Sequence, residues 1–137
     1  MLDGVPVVAA VFAVVAALVH VYIFVLESLW WMRPRTRAAF GVRSEQDAAT
    51  TRPLAFNQGW YNLFLAVGTV AGLVLARSAD PAVRAAGIGG LLLATCSMVG
   101  AAVVLVVSNP RMARAAAVQG VAPLVTVAVV VSQGFGG

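Results

Sequence analysis

Four stretches of this chain, residues 4–31, 54–76, 83–107 and 115–132, are almost wholly apolar and of membrane-spanning length. A spanning helix needs about 20 such residues. Inside hydrocarbon every backbone N–H and C=O must find a partner within the protein, so separate runs of this length have the helix as their form. The fold class that follows is all-α, a four-helix transmembrane bundle, with residues 1–137 as one integral membrane domain. Composition agrees: 61% of residues are hydrophobic and 10% charged. Soluble domains carry about 25% charged residues, and the smaller share here cannot cover a water-facing surface. The lipid bilayer is therefore the first partner.

The formal net charge is +4, and all nine cations are arginines. Five of them, Arg33, Arg35, Arg37, Arg43 and Arg52, lie in the first loop, residues 33–53, and Arg111 and Arg114 lie in the third. Arg77 and Arg84 flank the second. The positive-inside rule then predicts a multi-pass protein of the cytoplasmic membrane with the first and third loops in the cytoplasm and both termini outside. Arginines placed between apolar runs are explained by topology, so nucleic acid is excluded as a partner. The first segment has no basic stretch before it and is longer than the apolar core of a signal peptide, so it is expected to stay as a span. Cys96 is the single cysteine, a packing residue in an apolar run.

The punctuation between the spans is clear. Pro34 ends the first helix. Ser44 to Asp47 has the order of a capping box and predicts a short surface helix through Thr51. Asp80-Pro81 has the N-cap and N1 residues of a helix start, and Asn109-Pro110 is expected to play the same part. Gly68 and Gly72 form a GxxxG pair, while Gly87, Gly89 and Gly90 thin the start of the third span. Small residues allow close helix approach where lipid supplies no hydrophobic drive. Four helices make a thin bundle, so a homo-oligomer is plausible.

The polar residues inside the spans carry the functional signal. His20 and Glu27 are seven apart and share one helix face with Phe24 and Trp31. On the second span Asn57 and Tyr61 are four apart, as are Gln58 and Asn62, together covering an arc of about 140°. Gln119, Pro123 and Thr126 line one stripe of the fourth. At about 1.5 Å per residue, Glu27 lies one turn below Trp30 and Trp31, and His20 roughly 16 Å in, near the bilayer middle. Asn57, Gln58, Asn62 and Gln119 fall toward the same side. An ionised group at the bilayer centre costs on the order of 2.5–3.5 kcal/mol even on the mild insertion scale. The expectation is therefore a shared cavity open toward the cytoplasm, with His20 at its floor and Glu27 hydrogen-bonded to an amide of the second span. Trp30, Trp31 and Trp60 suit an interfacial aromatic belt, and Trp31 is a candidate for contact with a ligand.

These same stretches carry a resemblance. The sequences HVYIFVLESLWW from His20, Arg37-x-x-Phe40-Gly41, FNQGWYNLFLA from Phe56 and VQGVAPLVTV from Val118 resemble the small membrane family known as domain of unknown function 1304. The likeness covers nearly the whole chain, with NQGxYN its most specific part. It implies a four-helix membrane protein, and it carries over His20, Glu27, Asn57, Gln58, Gly59, Tyr61, Asn62, Gln119 and Gly120 as site positions. The resemblance implies no reaction.

Three functions fit the residues. The first is an enzyme acting on a lipophilic quinone-like or isoprenoid molecule. His20 and Glu27 would be catalytic, and Asn57, Gln58, Tyr61, Asn62, Gln119 and Trp31 would bind substrate. Acid–base chemistry, including oxygen-dependent epoxidation, suits a base among amide donors. The second is a proton-coupled transporter or exporter with Glu27 as the coupling carboxylate. The third is a structural membrane subunit. A metal site has little support, since His20 and Glu27 supply two ligands where zinc takes three or four. No motif accompanies a haem on His20, and the cofactor is left unassigned.

Overall fold

The computed structural model describes residues 4–134, and all of the regular structure in them is helical. Helix α1 runs over Val7–Phe24 and continues as a π-helical turn over Val25–Leu29. A short α2, Pro34–Ala39, crosses the first loop. Then come α3 (Glu45–Leu75), α4 (Pro81–Ser108) and, after a 3₁₀ turn at Pro110–Met112, α5 (Ala113–Gly134). The four long helical segments, at 23, 31, 28 and 25 residues, are long and apolar enough to cross a membrane, and the protein is an integral membrane protein. They pack as a ring in chain order, α1 on α3, α3 on α4, α4 on α5 and α5 back on α1.

Small side chains set the inner surface. Ala9, Ala13, Ala16 and Ala17 form the buried stripe of α1. Ala16, Met98 and Ala122 make the central cluster, with Phe12 and Leu65 against it, so all four spans meet in one layer. On one side of that layer lie Thr69, Thr95 and Thr126, fully buried on three different helices. Each hydroxyl donates to the carbonyl four residues back, at 2.8, 2.8 and 3.1 Å. That bond satisfies a hydroxyl where no water can reach it.

Glycine permits the closest approaches, though at fewer positions than expected. A Cβ on Gly72 would stand 2.7 Å from the Leu91 backbone nitrogen, and one on Gly120 would stand 2.7 Å from the Ala102 Cβ. A Cβ on Gly87 would overlap the backbone at Leu75 and Ala76. Gly68 makes only ordinary contact with Ala94, at 3.7 Å, while Gly89 and Gly90 face open space. The GxxxG pair therefore works through one of its two members.

The caps divide likewise. The Asp80 carboxylate accepts from the N–H groups of Ala82 and Val83, with Pro81 at the first helical position, as expected. Asn109 makes no side-chain cap, and a 3₁₀ turn starts α5 in its place. Ser44 accepts from the Asp47 N–H at 3.0 Å, but the helix it opens does not stop at Thr51. It runs unbroken through Pro53 to Leu75.

Two side chains from the end of the first span explain this continuity. Proline removes one N–H from the ladder and crowds the preceding turn. The Trp31 indole N–H donates to the Ala48 carbonyl at 3.0 Å, before Pro53, and the Ser28 hydroxyl donates to the Phe56 carbonyl at 2.8 Å, after it. The helix is thus held on both sides of the interruption. Arg37-x-x-Phe40-Gly41 is the end of α2: Gly41 has φ +68°, its N–H reaches the Ala38 carbonyl, and the Val42 N–H reaches the Arg37 carbonyl. This double bond pattern needs a left-handed residue after the cap, which glycine adopts without penalty. Phe40 then packs on Trp31 at 5.2 Å between ring centres.

The glycine contacts give a paired test. Gly72→Ala overpacks the α3–α4 seam and should cost about 1–3 kcal/mol. Gly89→Ala, facing open space within a helix, should be neutral or stabilising by up to about 1 kcal/mol. Unfolding of the two purified variants in mixed detergent micelles measures the difference.

Candidate functional site

His20 continues the alanine stripe of α1 and is 1% exposed. Its Nδ1 lies 2.9 Å from the Ala16 carbonyl oxygen. A carbonyl only accepts, so Nδ1 carries the proton, and in the uncharged ring Nε2 holds the lone pair. Relative to the central layer of Ala16, Leu65, Met98 and Ala122, His20 is about one turn toward the arginine-rich end. Asn62 on α3 and Gln119 on α5 are displaced by nearly the same amount in the same direction. Three of the candidate residues therefore share a level in the bundle.

Beyond His20 the helix changes character. The Trp30 N–H bonds the Val25 carbonyl five residues back, at 2.9 Å. A π turn holds one residue more than an α turn and rotates whatever follows by about 100° relative to the α register. Glu27 and Ser28 lie in this turn. Ser28 packs directly on Gly59, where any Cβ would overlap its hydroxyl. Glu27, partly buried, accepts from the Asn62 side-chain amide at 2.8 Å. The second Asn62 amide hydrogen goes to the Gln58 carbonyl at 3.1 Å, so both donors are used. The amide of the second span expected beside Glu27 is thus Asn62, and neither Arg33 nor Arg52 takes its place.

Other expected members stand apart. Asn57, Gln58 and Tyr61 are exposed, and Tyr61, 57% exposed, lies with Asn57 on the side of α3 away from Gly59. Gln119 is partly buried. The Trp31 ring is committed to Ala48 and Phe40, in a buried cluster with Ala55 that anchors the first loop. Trp30 has the Arg33 guanidinium 4.1 Å from its ring centre. Trp60 joins Phe24 at 5.1 Å and Phe56 at 6.3 Å, an aromatic cluster across the α1–α3 seam.

The single hollow floored by His20 is not the form taken by the concave surfaces described. One cleft, of about 340 Å³, lies at the arginine-rich end between the exit of the first span and Arg52. A second, of about 410 Å³, is an apolar groove on the outer face of α1 and α3, between Val14, Leu18, Val67 and Val70. Neither is lined by His20 or Glu27. Among the described residues no three His, Cys, Asp or Glu side chains come together as metal ligands. Cys96 is exposed on α4 rather than packed inside.

Ser28 and the π turn are what sequence reasoning missed. The apolar run gives no sign of a wider turn. The available signal was Gly59, a residue without a side chain in the middle of a polar helix face, which implies that something approaches closely.

No curated protein and no solved structure matches the chain. A family model described as "Protein of unknown function (DUF1304)" matches residues 14–131. That span holds His20, the π turn, Asn62 and Gln119 together, and the chain belongs to the DUF1304 family.

Proposed function

We propose that this protein is a membrane enzyme that performs acid–base chemistry on a lipophilic substrate of the quinone or isoprenoid class. The observation that carries this reading is the buried His20 ring, fixed through Nδ1 to its own helix, which leaves Nε2 as the proton-accepting atom. A base must be held in one tautomer and aimed to be useful, and the Ala16 carbonyl supplies the first condition. Glu27 and Asn62 form a second polar pair at the neighbouring turns, able to pass a proton or hold a substrate oxygen. Gln58 and Gln119 add amides on either side. The arginine distribution sets this end of the bundle in the cytoplasmic leaflet, with both termini outside.

The finer form of the reading is epoxidation of a hydroquinone. Removal of a hydroxyl proton by His20 makes the ring electron-rich toward dioxygen. One oxygen atom then enters the ring, the other leaves as water, and the hydroquinone supplies the two electrons. The protein's share is the proton transfer and the positioning of the oxygens by amide donors.

Two outcomes test this. His20→Ala should lower turnover by about 10²–10⁴, the usual share of a general base, with helical content unchanged by circular dichroism. Oxygen uptake by the reconstituted protein with short-chain naphthohydroquinones is the measurement, and equal rates in the variant would reject the role. Asn62→Leu leaves the Glu27 carboxyl without its donor and should lower stability by about 1–3 kcal/mol, read from unfolding in detergent. If Glu27→Gln abolishes substrate-driven proton flux in liposomes while oxygen uptake is absent throughout, the protein is a transporter.

A further inference from the structure

The cleft at the arginine-rich end has a composition that the acid–base reading does not use. It is lined by Ser28, Leu29, Trp30, Met32, Arg33 and Arg52 among others, with two guanidinium groups and no carboxylate. It sits where the first span ends, at Leu29, so its depth is that of the lipid headgroups. Its apolar edge is open: Leu29 is 62% exposed and Trp30 37%. Its shape is fixed from behind, because Trp31 is tied to the Ala48 carbonyl and Ser28 to the Phe56 carbonyl. The Arg33 guanidinium rests over the Trp30 ring at 4.1 Å, which orients it. A planar guanidinium offers paired N–H donors that match phosphate oxygens, and two of them beside an apolar edge match a molecule with an anionic head and hydrocarbon chains.

We propose that this cleft is a binding site for an anionic glycerophospholipid of the surrounding leaflet, with its phosphate between Arg33 and Arg52 and its chains along Leu29 and Trp30. Arg33 thereby anchors the end of the first span and Arg52 the start of the second to one lipid, independently of any chemistry at His20.

The test uses the full chain in detergent, incubated with equimolar phosphatidylglycerol and phosphatidylcholine of matched chains and examined by native mass spectrometry. Two arginines at the membrane surface should enrich bound phosphatidylglycerol about tenfold. The R33Q/R52Q variant should fall to parity, R33K/R52K should keep most of the enrichment, and R77Q/R84Q at the opposite end should match the unaltered protein. Parity in the unaltered protein, or undiminished enrichment in R33Q/R52Q, overturns the proposal. So does complete displacement of the lipid by millimolar glycerol 3-phosphate, which would make this a site for a soluble phosphate. A second reading needs no substitution: brominated-chain phosphatidylglycerol should quench tryptophan fluorescence more strongly than brominated phosphatidylcholine, and equal quenching rejects the site.

Discussion

Side-chain donors reaching backbone carbonyls across the α1–α3 seam hold the arginine-rich half of this bundle in place. Ser28 on Phe56 and Trp31 on Ala48 bracket Pro53, where the second long helix is weakest. Helix association in lipid draws on packing and polar contacts, because hydrocarbon gives no reason for apolar helices to seek one another. These two bonds therefore matter more than their number suggests. They fix the exit of the first span, and with it the position of Glu27 opposite Asn62, the course of the first loop and the walls of the arginine-lined cleft.

The other half of the bundle uses different means. There the backbones of α3 and α4 approach at Gly72 and Gly87, and α4 meets α5 at Gly120. Three buried threonines turn their hydroxyls onto their own helices, with Thr126 also 3.4 Å from the Ala9 carbonyl of α1. Polar side chains satisfied within their own helix pack as small apolar groups would. Glu27 differs, since its partner comes from another helix, and His20 keeps one ring nitrogen uncommitted to its helix.

Much of this was legible in the chain. The number of spans, their approximate extents and the Asp80-Pro81 start follow from apolar length and capping chemistry, which act locally. The pairing of Glu27 with a second-span amide followed from depth and desolvation. What failed had a common cause. Helical spacing was projected as a uniform 100° per residue, and the π turn breaks that projection at Val25–Leu29. Ser28 was overlooked, and Asn57 and Tyr61 were assigned to an interior that they do not face. The capping box at Ser44 was read correctly, but the helix behind it was ended at a proline that two remote donors make tolerable. Local sequence holds no record of such donors. Gly89 and Gly90 show the converse, since glycine permits a close approach without guaranteeing one.

The π turn carries one residue beyond what a regular helix would need to travel the same height. Deleting any single residue between 25 and 29 would let the segment relax to an ordinary helix while keeping its length. It would also swing the tryptophans and everything after them about a quarter-turn around the axis relative to His20. Surplus of this kind works as an adjustable joint between the bundle interior and the loop. Within the family, a lone one-residue gap at this place would mark chains in which the two halves of the molecule meet at a different angle.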